Sequence, residues 1–107
     1  MLNMLSHHMP HYIILFNFTE QGLGNVKETV KRAEAFKDAV EKVGGKFVNE
    51  YYTFGKYDII TIVEAPNDEA IASVLFTTAS LGNVRSETLK AFPLSEAANI
   101  IENLPKS

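Results

Sequence analysis

Residues 51–63 read Tyr51-Tyr52-Thr53-Phe54-Gly55-Lys56-Tyr57-Asp58-Ile59-Ile60-Thr61-Ile62-Val63, two runs of aromatic and β-branched residues joined through a single glycine. Such runs favour strands, and the glycine between them predicts a β-hairpin at the centre of a small sheet. Successive side chains of a strand point to opposite faces, and here the apolar residues fall on both. A sheet that is apolar on both faces needs two covers. The chain's own helices can supply one of them, and the other has to come from elsewhere. The feature therefore argues for self-association and leaves the chemistry open.

The rest of the chain fits around this hairpin. Residues 1–9 are a polar leader containing methionine and histidine without periodicity, expected to be flexible, with Met9 a candidate start; residues 10–107 form a single domain. Tyr12-Ile13-Ile14-Leu15-Phe16-Asn17-Phe18 reads as a first strand, with Tyr12, Ile14, Phe16 and Phe18 on one face and Ile13, Leu15 and Asn17 on the other. Between Gly22 and Gly44, Val26, Val30, Ala33, Phe36, Val40 and Val43 recur at helical steps before the glycine stop Gly44-Gly45. Lys46–Phe54 and Tyr57–Ala65 make the hairpin, closed by Ala65-Pro66. Asn67 is placed to cap a second helix with Asp68 and Glu69 in its first turn and an inner stripe of Ile71, Val74, Leu75 and Thr78. Leu81-Gly82-Asn83 ends it. A fourth strand, Val84–Phe92, alternates Val84, Ser86, Thr88 and Lys90 against Arg85, Glu87, Leu89 and Ala91. After Pro93, Ser95 is the expected cap of a last helix carrying Ala98, Ile101 and Leu104.

The order β-α-β-β-α-β with an extra C-terminal helix is that of an α+β, ferredoxin-like sandwich. Right-handed crossovers put both helices on one face of the sheet and leave the other bare. A bare face carrying Ile60, Ile62, Leu15 and Tyr52, or their alternates, is a larger apolar patch than soluble monomers usually expose. The expected cover is a second copy, giving a homodimer of dimeric α/β-barrel type with its sheets face to face and the C-terminal helix available to the partner.

Composition narrows the partners. With 107 residues, 46% hydrophobic and 21% charged, the chain is an ordinary globular domain. A net charge of −3 offers no attraction for nucleic acid or an anionic membrane, and neither partner is expected. The absence of cysteine excludes disulfides and thiolate chemistry, and the N-terminus lacks a signal-peptide pattern, so the cytoplasm is the expected compartment.

Three segments resemble the GYD-domain family of small bacterial and archaeal proteins: Tyr12–Asn17 with Thr19-Glu20-Gln21-Gly22; Gly55-Lys56-Tyr57-Asp58 leading into Val63-Glu64-Ala65-Pro66; and Leu81–Phe92. They span nearly all of residues 10–104. The resemblance implies a ferredoxin-like, dimeric α/β-barrel architecture with no established general activity. The ligand-binding domains of leucine-responsive regulators carry a similar glycine, tyrosine, aspartate hairpin, but this chain has no DNA-binding helices attached.

Candidate site residues compete with structural roles. Gly55, Tyr57 and Asp58 form the signature turn; Gly55 suits a positive φ, and Asp58 is placed to accept a bond from the turn backbone. A functional role would make Tyr57 and Asp58 a polar anchor at a cavity mouth. Tyr51, Tyr52 and Phe54 suggest a base-stacking platform, but that needs a basic groove, and sheet or interface packing accounts for them better. Asn17, Arg85, Glu87 and Thr88 are polar among apolar strand neighbours. Asn17, Arg85 and Glu87 are the candidate ligand-binding set, with Arg85 fixing an anion and Glu87 acting as a base or orienting group; the structural alternative is an Arg85–Glu87 ion pair. His7, His8 and His11 define no metal geometry, Gly22-Leu23-Gly24 lacks a full phosphate-loop fingerprint, and no catalytic triad is visible, so neither metal nor cofactor is expected. Two function classes remain: a small-molecule-binding, regulatory or structural module, and a small cofactor-free or haem-using monooxygenase or isomerase, for which Asn17, His11, Arg85 and Glu87 are the available polar groups.

Overall fold

The computed structural model describes residues 9–106; His7, His8 and nearly all of the expected leader lie outside them. Four strands, β1 (His11–Phe18), β2 (Lys46–Tyr52), β3 (Ile59–Glu64) and β4 (Val84–Ala91), alternate with helices α1 (Glu20–Gly24), α2 (Thr29–Lys42), α3 (Asp68–Ser80) and α4 (Leu94–Glu102). The sheet runs β2-β3-β1-β4 and is antiparallel throughout, the ferredoxin-like arrangement that the element order predicts.

Alternation on the two central strands sets the core. Tyr12, Ile14 and Phe16 of β1 and Ile59, Thr61 and Val63 of β3 are buried beneath Phe36 and Val40 of α2 and Ile71 and Val74 of α3. Phe36 meets Phe16 edge to face, with centroids 5.6 Å apart. Their alternates Ile13, Leu15, Ile60 and Ile62 occupy the opposite face, where the register pairs Ile13 with Ile62 and Leu15 with Ile60. On that face β4 contributes Arg85, Glu87 and Leu89, opposite Asn17, Leu15 and Ile13.

The expected face of β2 needs correction. A register shift between Phe47 and Asn49 inserts Val48 as a bulge, so Phe47, Glu50 and Tyr52 point to the helix side and Asn49 and Tyr51 to the open side. Tyr52, expected beside Ile60 and Ile62, therefore faces α2, and Tyr51 replaces it on the open face. Two helix boundaries differ as well. Thr19, whose side chain accepts a bond from the Gly22 amide, starts the short α1, and a 3₁₀ turn over Val26–Glu28 delays α2 to Thr29. That shift of phase leaves Val26 and Val30 exposed rather than in the core. Ser95 does not cap α4, whose N-cap is Pro93 without a side-chain bond. Asn67 does cap α3, accepting from the Ala70 amide at 2.8 Å.

None of the residues of α4 is buried; Leu94, Ile100 and Ile101, with Leu104 just beyond the helix, are largely exposed. Such a nine-residue helix is too short to be stable without packing. The radius of gyration of 15.7 Å exceeds the roughly 13 Å usual for this length, in keeping with a body extended along one axis to 52 Å.

Candidate functional site

The signature turn is held by bonds that reach across the sheet. The Thr53 amide donates to the Asp58 carbonyl at 2.8 Å and the Thr53 hydroxyl to the Tyr57 carbonyl at 2.6 Å, closing a loop in which Gly55 takes φ 133°. The Asp58 side chain is not the group that bonds the turn; its carboxylate accepts from the Phe18 amide at 2.9 Å, while the Asp58 amide donates to the Phe16 carbonyl. A side-chain oxygen thus continues the β1–β3 ladder for one step where the backbones part. Asn17 fixes the same loop by donating to the Lys56 carbonyl at 2.8 Å.

A second lock joins the other two motif segments. The Thr19 amide and hydroxyl donate to the Asn83 and Gly82 carbonyls, and the Gln21 amide group reaches the Leu81 carbonyl at 2.9 Å. Gly22 lies so close to this turn that an added Cβ would stand 2.0 Å from the Asn83 carbonyl oxygen. The segments that carry the family resemblance therefore mostly hold the turns against the ends of β1.

The structure gathers Asn17, Arg85 and Glu87 around a depression of about 260 Å³ on the open sheet face, shared with Leu15 and Tyr57. Tyr57 donates its hydroxyl to Glu87 at 2.9 Å, and the neighbouring carboxylate raises the phenol's pKa. The Arg85–Glu87 ion pair is not formed: the Arg85 guanidinium has no hydrogen-bond or ionic partner among the described residues. Arg85 and Glu87 are solvent-exposed, so the depression is a surface feature rather than an enclosed cavity. Thr88 points to the helix side, away from this set. His11 lies on the open face beside Glu64, Nε2 to Oε2 3.4 Å, and no cluster of metal-ligating side chains occurs among the described residues.

A different site lies on the helix face. Between α2 and the C-terminal end of α3 a cleft of about 160 Å³ descends to Phe16, Ile59 and Val84, with Ala33 and Phe36 as one wall and Thr78 and Leu81 as the other. Glu50 and Tyr52 from β2 and Thr29 and Arg32 from α2 also line it. Glu50 accepts from the fully buried Thr61 hydroxyl at 2.9 Å, and Tyr52 and Thr29 share a hydroxyl bond of 3.0 Å. Burial pushes the Glu50 carboxyl up, against the hydrogen bonds from Thr61 and Tyr52 that pull it down, and burial also raises the Tyr52 phenol. Sequence reading missed this group because strict alternation from Phe47 sends Glu50 and Tyr52 to the other face. A charged residue in a strand otherwise suited to burial was the available signal.

At the start of α3, Asp68 accepts from the Tyr12 hydroxyl and from Lys90 at 3.2 Å, joining the helix to β1 and β4. The Tyr12 and Lys90 bonds hold the Asp68 carboxyl below its usual range. No helix among the described residues is long and apolar enough to cross a membrane.

The sequence profile of the GYD domain matches residues 12–101. A Thermus thermophilus protein named glutamine synthetase and cystathionine beta-lyase binding protein is 29% identical over 89 residues, covering 82% of this chain and 94% of that one. Among solved structures, MtbAldR (Rv2779c) aligns with TM-score 0.62 at 14% identity over 79% of this chain and 54% of that one, so this chain spans about half its length. TTHA0845, also from Thermus thermophilus, aligns with TM-score 0.51 at 24% identity, covering 79% of this chain and 95% of the other. At these identities the two structures speak for the fold alone.

Proposed function

The chain belongs to the GYD-domain family, and from that footing we propose that it is a homo-oligomeric binding module that pairs its open sheet faces and regulates protein partners by docking on them. The observation that carries the reading is the open face itself. Ile13, Leu15, Ile60, Ile62 and Leu89 lie side by side on β1, β3 and β4, flanked by Tyr51, and neither α2 nor α3 covers them. Face-to-face packing of two copies removes this surface from water. Asn17, Arg85, Glu87 and Tyr57 then sit where the two sheets approach, available to an anionic ligand or to the partner copy.

The regulatory part of the proposal is supported by the name of the Thermus relative, which describes a protein that binds two enzymes. Apolar surface remains for such a partner at the hairpin tip, where Phe54 is fully exposed. Light scattering on the purified chain at micromolar concentration tests the assembly: a species of about twice 11.9 kDa is expected, and an 11.9 kDa species alone refutes pairing. Surface plasmon resonance against purified glutamine synthetase and cystathionine beta-lyase from the same organism tests the docking, and absence of binding to both removes that part of the proposal.

A further inference from the structure

The helix-side cleft holds a carboxyl group that lacks a cationic partner. Glu50 is half-buried, its carboxyl group meets only the hydroxyls of Thr61 and Tyr52 among the described residues, and none of the ion pairs among them includes it. Carboxylates removed from water are ordinarily paired with a cation, and one that faces an apolar cleft unpaired marks a position where the cation arrives with a ligand. Arg32, the one basic residue lining the cleft among the described residues, is committed elsewhere: its guanidinium donates to the Asn25 carbonyl at 3.0 Å and the Gly22 carbonyl at 3.4 Å. It acts on Tyr52, and it is not among the groups that shift Glu50.

The remainder of the cleft is hydrocarbon and aromatic surface. Its volume of about 160 Å³ compares with the apolar cavities of about 150 Å³ that accept benzene. Phe16, Phe36 and Ile59 offer a floor and wall for one ring or a branched alkyl group, with Glu50 and Tyr52 at one end. We propose that this cleft binds a small primary amine, its ammonium held by Glu50 and its aromatic or branched hydrocarbon part seated on Phe16, Phe36 and Ile59. The site lies on the opposite face of the sheet from the surface assigned to assembly and stands without that assignment.

Three probes that share a benzyl group separate the alternatives: benzylamine, benzyl alcohol and phenylacetate, each titrated into the full-length ¹⁵N-labelled chain and followed by amide chemical shifts. Benzylamine is expected to shift the amides of Phe16, Phe36, Glu50 and Ile59 and to bind more tightly than benzyl alcohol, with phenylacetate weakest. Glu50→Gln keeps the shape and an acceptor for Thr61, and it is expected to weaken benzylamine roughly tenfold or more while leaving benzyl alcohol unchanged. Equal binding of benzylamine to wild type and Glu50→Gln overturns the role of the carboxylate. Tightest binding by phenylacetate assigns the cleft to Arg32 and overturns the amine. Absence of shifts in the cleft with all three probes, or shifts confined to the open sheet face, overturns the site.

Discussion

Ile60→Glu tests whether the open sheet face is an interface. The four strands contain eight, seven, six and eight residues. At strand spacings of about 4.8 Å and a rise of about 3.3 Å per residue they offer a flat face of about 450 Å² per copy. Two such faces give about 900 Å² before side-chain relief is counted, short of the roughly 1,200 Å² of small specific interfaces. The exposed apolar residues of α4 supply the natural remainder. Ile60 lies on β3 between Leu15 and Tyr51, near the middle of this face. In a two-fold pair, Ile60→Glu places one unpaired carboxylate per copy in the interface. At about 3 kcal/mol or more each, the two cost about 6 kcal/mol, a weakening of roughly 10⁴-fold. Sedimentation velocity at 10–50 µM is expected to show a dimer for wild type and a monomer for Ile60→Glu, with unchanged far-ultraviolet circular dichroism. Val30→Glu, on the exposed outer side of α2, is the control and should remain dimeric. A folded Ile60→Glu protein that sediments like wild type refutes the reasoning, as does equal dissociation by Val30→Glu.

Three further predictions concern the fold and the cleft. Gly22→Ala drives a methyl group into the Asn83 carbonyl and should lower stability by about 2 kcal/mol or more, read as a reduced urea midpoint. Asp58→Ala leaves the Phe18 amide without its carboxylate acceptor and should cost about 1.5–3 kcal/mol, with faster hydrogen exchange at Phe18. Glu50→Gln should stabilise the protein at neutral pH. Because burial raises the folded-state pKa of Glu50, its ionisation opposes folding. Wild-type stability relative to the variant is fully retained below the ordinary glutamate value of about 4.3 and lost as pH rises through the folded value. Melting temperatures of the two proteins should therefore converge near pH 4 and separate towards pH 7, and a constant difference across that range would contradict the burial argument.

The sheet was legible wherever a strand follows strict alternation. Tyr12, Ile14 and Phe16 against Ile13 and Leu15, and Ile59, Thr61 and Val63 against Ile60 and Ile62, give both faces of the two central strands directly. Asn67 was legible because its capping bond is local. What escaped depends on distant partners or small backbone adjustments. The Asp58 carboxylate bonds β1 rather than its own turn, and Val26 and Val30 leave the core because a 3₁₀ turn changes the helix phase. The cleft escaped for the same kind of reason. Glu50, Tyr52, Thr29 and Arg32 come from two elements that no sequence spacing relates, and the bulge inverts the two β2 residues among them. Arg85 and Glu87 were correctly placed on one face, but the partner of Glu87 is Tyr57, thirty residues away.

Neighbouring positions of one strand meet two different environments, and the single residue inserted at Val48 decides which takes which, Tyr51 the sheet's outer surface and Tyr52 the helix-side cleft. Point substitutions at these sites act on one surface at a time, so assembly and cleft chemistry are free to diverge separately during evolution. Loss of the codon at Val48 would join the existing pairs, Phe47 with Val63 and Asn49 with Ile62, into a regular ladder and spare both surfaces, whereas a strand paired straight through Val48 would exchange the two tyrosines and turn Glu50 outward.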